Sequence, residues 1–353
     1  MKKIYACLIG IVLVFTSNAV CAVRVMTIYQ GVVPVASQSV DERNKMASAA
    51  LSQVLVKVSG SDQVLMSPLI KSQMPSASSL IQAFRYGVPA LPIPGKPYLL
   101  QINFDPDTID KMLRDAKVPT WGQNRPLILM WVEYEAPGKP AEIMTGESLN
   151  DIPKLLKQSA DARGLPIVFP MMDVTDLNQV SVNDVVTMAV PALLNAAKRY
   201  QSDAMIIGRV LPVADGGYST QWKLVMGHDE WGWNITGKSL SDVMLTLMNH
   251  VADALSGRYA TIVTNQIQTV ASIKVTGVNQ QEDVADIINY LKRLPPVADV
   301  EVESASGDNV VLTISLRSQI ASFVKAVSAG QKLSAVAAQP GDKATLLVYQ
   351  WNH

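Results

Sequence analysis

The densest group of chemically capable side chains lies in VMGHDEWGWNITG, residues 225–237. His228, Asp229 and Glu230 could supply a base and acids, and Trp231 and Trp233 could stack on a sugar or anchor a partner. Gly227 and Gly232 bracket the charged residues, and apolar-rich arms flank them. Gly, Asp and His are common where a chain reverses, and cross-strand tryptophans stabilise hairpins. The pattern therefore predicts a β-hairpin tip, with STQWKLVMG and WGWNITG as its arms. No nucleophile lies near His228 in sequence, and a tip is poorly desolvated, so catalysis there is disfavoured. Exposed at such a tip, His228, Asp229, Glu230, Trp231 and Trp233 form a candidate contact surface. The loop from Trp121 to Arg125 is a second candidate.

The other reactive groups are sparse. His250 falls on a predicted helix and His353 is the last residue, and no HxxxH or HExxH spacing occurs. Asp161, Asp173 and Asp176 surround LPIVFPMM, where carboxylates could hold a cation or act as acid and base, or simply cap helices. Asp105 and Asp107 carry the same ambiguity, and Asp105 is already accounted for as a cap before Pro106. No GxxxxGK[ST], strand-borne GxGxxG or GxSxG is present. Phosphate loops and an α/β-hydrolase elbow are therefore disfavoured. No catalytic, cofactor-binding or metal-ligating residue is assigned, and no cofactor is expected.

Composition narrows the class further. The chain has 353 residues with 30 basic and 30 acidic side chains and no long basic run, which argues against nucleic acid as a partner. Lys2 and Lys3 precede an apolar run from Ile4 to Phe15, and small residues follow to Val20-Cys21-Ala22. That is the layout of a secretory signal peptide, with cleavage expected between Ala22 and Val23. Rival readings are a lipoprotein modified at Cys21, disfavoured by Val20 and Asn18 before it, and an uncleaved anchor. Cys7 and Cys21 both lie in this segment, so the chain from Val23 onward is cysteine-free. It uses no disulfide, thiolate metal site or cysteine nucleophile. No later apolar run reaches the length of a membrane span.

Three units must position these residues, giving an α/β and α+β multidomain architecture. The first, 23–135, reads as a strand, then a helix from Ser39 with Ala47, Ala50, Leu51, Val54, Leu55 and Val58 on one stripe, ended by Gly60. A Pro/Gly-rich loop over 87–98 follows, then YLLQINF, a helix opened by Asp105-Pro106, and a buried strand over 125–135. Residues 136–150 read as a linker. The second unit, 151–262, is an α/β layer module closed by a helix with Leu240, Val243, Met244, Leu247, Val251 and Leu255 on one stripe. The third, 268–353, has the order β-α-β-β-α-β, a ferredoxin-like split motif. It shares the strand order of RNA-recognition modules but lacks their stacking aromatics and basic flanks.

The stretch YQGVVPVASQSVDERNKMASAALSQVLVKVSG resembles the opening of an exported gammaproteobacterial family described as a domain of unknown function. INFDPDTIDKMLRDAKVPTWGQNRPLILMWV, ARGLPIVFPMMDVTD and RYQSDAMIIGRV fit the same family, so the resemblance spans roughly 27–260. It implies a Gram-negative envelope protein and brings no activity or catalytic residue. At the level of fold alone, the second unit is similar to α/β modules of periplasmic assembly proteins such as the curli-secretion lipoprotein.

The expectation is therefore a periplasmic, non-enzymatic interaction or assembly module whose partner is another envelope protein. One alternative is a ligand- or glycan-binding protein with its ligand between the first two units. Another is a hydrolase using Asp173 and Asp176, which must then meet in a concave pocket with another acid or a metal ion.

Overall fold

The computed structural model describes residues 23–214, 216–330, 332–337 and 346–352. The expected signal segment, both cysteines, Ala22 of the expected cleavage pair and His353 lie outside the described residues. No helix among the described residues is long and apolar enough to cross a membrane. The α and β content is mixed, distributed over several sheets and domains.

In the first unit, β1 (Val23–Arg24) is followed by β2 (Gln30–Val35), α1 (Val40–Ser59), α2 (Pro68–Gln73), β3 (Ile81–Gly87), β4 (Tyr98–Phe104) and α3 (Pro106–Asp115). The sheet order is β2-β4-β3, antiparallel throughout. Ser39 caps α1 by accepting from the Glu42 N–H, as the sequence predicts, although Glu42 Oε1 reaches back to the Ala36 N–H rather than to Ser39. The expected apolar stripe of α1 is buried against the sheet to the last residue. Asp105 accepts from the Thr108 N–H and Pro106 opens α3. β3 went unrecognised in the sequence. It is an edge strand whose residues 82–85 are exposed, so it shows no apolar alternation.

β5 (Asn124–Arg125) pairs back onto β1. The second unit then runs β6 (Ile128–Tyr134), β7 (Glu142–Ile143), α4 (Ile152–Arg163), β8 (Ile167–Val168), α5 (Val174–Leu177), α6 (Val182–Val186), α7 (Val190–Ala197), β9 (Ala204–Pro212), β10 (Tyr218–Met226), β11 (Asp229–Gly237) and α8 (Leu240–Tyr259). Its sheet order is β11-β10-β9-β6-β7, with β8 also on β6. The strand assigned by sequence to the first unit therefore belongs to the second. β6 pairs parallel with β8 and β9, and the segment expected to be a linker supplies β7. The physical reason is double burial. Ile128, Met130 and Val132 face α4 and α8, while Leu129 and Trp131 face α6 and α7. Such a strand needs a sheet covered on both sides. Gly208 of β9 lies opposite Trp222 of β10, and a Cβ there would stand 2.0 Å from the indole. Glycine at this position makes room for the ring.

The third unit runs β12 (Thr269–Thr276), α9 (Gln281–Lys292), β13 (Val297–Ser306), β14 (Asn309–Leu316), α10 (Ile320–Gly330), β15 (Leu333–Ala335) and β16 (Leu347–Trp351). The sheet order is β13-β14-β12-β16-β15. The leg after α10 differs from a single returning strand: β15 takes the edge, and β16 lies parallel to β12. Thr120 of the first unit and Thr261 of the second exchange backbone hydrogen bonds, and Lys325 of α10 joins the third unit to the second by donating to the Gly257 and Ala260 carbonyls at the end of α8.

Candidate functional site

The stretch 225–237 is a hairpin. Met226 pairs with Asp229, leaving Gly227 and His228 as a two-residue loop. Only Gly227 of the two has positive φ, 61°, the pattern of a type II′ turn. His228, Asp229 and Glu230 are exposed, as expected for a tip. Asp229 pairs with Arg258 of α8, and Glu230 with Lys223 across the strands at 3.0 Å. Trp231 and Trp233 are half-buried on the α8 side, where Trp233 stacks on His250 with centroids 5.8 Å apart. Trp222, opposite Trp233, is fully buried; its indole donates to Thr220 Oγ1, whose hydroxyl donates to the Ile235 carbonyl. The hairpin is thus a rigid platform, and β11 is its outer edge.

The second candidate surface, Trp121 to Arg125, is not a surface. Trp121 is 2% exposed and Arg125 is 0% exposed. The Arg125 guanidinium lies 3.6 Å above the Trp121 ring, which stacks on Tyr259. Its Nη2 donates to the Lys57 and Trp121 carbonyls at 2.6 and 2.7 Å, and its Nε to the Gly122 carbonyl at 2.8 Å. Lys57 lies in the last turn of α1, where carbonyls have no partner within the helix and attract cations. Arg163 of α4 completes this collar: Nη2 donates to the Gly60 carbonyl and to Asp253, and Nη1 to Asn249. Burial lowers the Arg125 pKa well below the ordinary arginine value, and the charge of Arg163 adds to that. Burial likewise brings Lys57, which donates to the Gln30 carbonyl, down to about 8.

Residues 22–122 match the family described as Domain of unknown function (DUF8605). The match covers the first unit and stops before β5. No curated protein matches the chain.

Asp173 and Asp176 do meet, but around a cation of the chain itself. Arg199 donates to both Asp173 oxygens, at 2.6 and 2.8 Å, and to Asp176 Oδ1 at 2.9 Å. The second Asp176 oxygen takes the Tyr200 hydroxyl and the Met172 N–H. Asp173 also caps α5 by accepting from the Thr175 and Asp176 amides. The hydrogen bonds from Arg199 hold the Asp173 pKa far below the usual carboxylate range. Both carboxylates are spent on neutralising Arg199 and bracing the turn before α5. Asp161 stands apart, paired with Lys157 on the surface of α4. Among the described residues no group of three or more His, Cys, Asp or Glu is placed to hold a metal ion.

The depression between the first two units, about 480 Å³, is open and lined largely by small residues such as Ser59, Ser61, Ser256 and Gly257. The more charged cleft lies between the first and third units, at residues that carry no sequence motif. It gathers Tyr29, Asp110 and Arg114 from the first unit with Arg293 and Arg317 from the third. The only local sign of it was an ordinary one, the Asp107/Asp110/Arg114 face of α3.

Proposed function

We propose that this protein is an exported, non-enzymatic module of the Gram-negative cell envelope, periplasmic after cleavage before Val23, which joins another envelope protein along the free edge of β11. The observation that carries the reading is the quality of that edge. β11 pairs with β10 over nine consecutive residues without a register shift, and no described strand covers its other side. Antiparallel alternation leaves every second residue, Glu230, Gly232, Asn234 and Thr236, with its N–H and C=O directed outward.

The other long edges are blunted in ways that discourage strand addition. β2 carries Pro34, which has no N–H to offer. β3 has a register shift between Ile81 and Ala83. β13 has two shifts and presents Asp299, Glu301 and Glu303. β11 has its acids only at the hairpin end, and its two half-buried tryptophans offer apolar area to a strand laid alongside. The N-terminal sequence layout and the resemblance of residues 29–60 to an exported gammaproteobacterial family support the compartment.

The test is site-specific photocrosslinking in cells, with the probe at Asn234 or at Glu301. The expected result is one abundant envelope partner from Asn234 and none from Glu301, with the Asn234 crosslink lost on Thr236→Pro. Proline at an outward-facing edge position removes a free N–H and leaves the β10–β11 ladder intact. Equal background crosslinking from both positions overturns the reading. The compartment has its own check: the intact mass of the periplasmic protein must correspond to a start at Val23.

A further inference from the structure

The cleft between the first and third units, about 250 Å³, has an unbalanced wall. Arg114 comes from α3, Lys292 and Arg293 from the end of α9, and Arg317 from the end of β14. The lysine is answered by Asp299 at 3.0 Å. The three guanidinium groups are answered only in part, at longer range, by Asp107 and Asp110 across the cleft. Arg114 Nε donates to the Asn265 side-chain carbonyl at 3.2 Å, Arg317 Nη1 donates to the Val297 carbonyl at 3.1 Å, and Arg293 is exposed. None of the three forms an ion pair with a carboxylate among the described residues. Burial lowers the Arg317 pKa, and the like charge of Arg114 lowers it further, against the raising effect of Asp110 and Asp107. Three guanidinium groups against two carboxylates favour an added anion.

A second, independent feature points the same way. Adjoining the cleft, and sharing Thr120, Arg293, Leu294 and Pro295 with it, lies a cavity of about 10 Å³. It is lined by Thr120, Trp121 and Thr261, whose hydroxyl and indole groups are buried and without a hydrogen-bond partner. An indole N–H can only donate, and both hydroxyls are able to. The space fits a single water molecule or one ligand oxygen. Charge on the cleft wall and unmet donors in the adjoining cavity describe a receptor for oxyanions.

On the acidic side of the cleft, Tyr29 donates to Asp110 Oδ1 at 2.9 Å, and Asp107 lines the wall. This pair suits a hydroxyl on the same ligand.

We propose that this cleft binds a small organic oxyanion, a phosphate ester or polycarboxylate bearing a hydroxyl, with its charged head on Arg114, Arg293 and Arg317 and its hydroxyl on Asp110. Carboxylate and phosphate both match the planar guanidinium fork. Such a site is separate from strand docking at β11, and either stands without the other. Burial pushes the Asp110 pKa up to about 6, against the lowering effects of the Tyr29 hydrogen bond, Arg114 and Arg317, with Asp107 adding to the rise. Protonation therefore removes a negative charge from the cleft, and the affinity for an oxyanion of fixed charge, such as a sulfate ester, rises as pH falls from 7 to 5.

The test is calorimetric titration of the full chain with glucose 6-phosphate, citrate and glucose. The expected result is saturable binding of one or both oxyanions and none of glucose. Arg293→Glu, an exposed change, and Arg317→Gln each weaken it about tenfold or more. The pH arm uses glucose 6-sulfate, whose charge is constant over this range, and Asp110→Asn abolishes its tightening between pH 7 and pH 5. If only one oxyanion binds, its head group identifies the ligand class. Absence of saturation up to about 10 mM, or equal affinity in wild type and both arginine variants, overturns the proposal.

Discussion

Two places in this protein set tryptophan beside charge, and they serve opposite ends. At the junction of the first and second units, Trp121 and Arg125 are sealed inside, and the guanidinium spends its donors on carbonyls around the end of α1. At the β10–β11 hairpin, Trp231 and Trp233 are half-buried, and the neighbouring charges pair with side chains at the rim. The difference is the partner. A helix C-terminus offers fixed, desolvated carbonyls that only a buried cation can satisfy. A hairpin tip offers water, so its ion pairs contribute little and its aromatic area stays available.

Trp121→Ala gives the largest effect, a loss of about 3–5 kcal/mol in urea unfolding, because it empties a large site under Tyr259. Arg125→Ala follows at about 3 kcal/mol, leaving the Lys57, Trp121 and Gly122 carbonyls without their donor. The two residues touch, so the double variant loses less than the sum. Trp233→Ala costs about 1–2 kcal/mol, since only its α8-facing side is buried. A cost equal to that of Trp121→Ala would erase the contrast between core and platform.

Alkaline titration sharpens the junction. Lys57 has its pKa lowered to about 8 from 10.5. Between these values the unfolded chain holds the proton and the folded chain does not, so stability rises with pH across that window. Lys57→Met removes the rise, read as melting temperature against pH.

The smallest effect comes from Asp173, whose exposed contact with Arg199 holds its carboxyl below the ordinary 3.8. Its contribution is present above pH 3.8 and is lost as pH falls below it. Asp173→Asn leaves the Arg199–Asp176 contact in place and therefore only flattens the fall in stability below pH 3.8, read by acid titration.

Features encoded locally were legible in the sequence: the α1 stripe, the Asp105-Pro106 start of α3, the 225–237 hairpin and the alternation of β14. Features that depend on distant partners were not. Arg125 reads as a surface residue because nothing in its neighbourhood announces the carbonyls of Lys57, 68 positions earlier. β6 reads as the end of the first unit because its parallel neighbours lie downstream. β3 is exposed enough to carry no period. The oxyanion cleft escaped notice for the same reason: Tyr29 and Asp110 lie 81 positions apart, and Arg317 comes from the far side of two units. Asp173 and Asp176 were recognised as a pair, but Arg199, which settles their role, was not.

The parallel pairing of β6 with β9 also sets a timetable. Ile128 must meet Ala204, and Tyr134 must meet Val210, across all of α4 to α7. Closing so long a loop is slow, and the centre of the sheet cannot nucleate until β9 has arrived. A chain delivered N-terminus first holds the apolar segment Ile128–Val132 unpaired during that wait, when it is most prone to aggregate. The first unit's sheet closes over a similar span, Gln30 onto Asn103, but its strands emerge first, so it can fold earlier. Its α1 carbonyls then offer the Arg125 collar a ready anchor at the base of the unpaired strand.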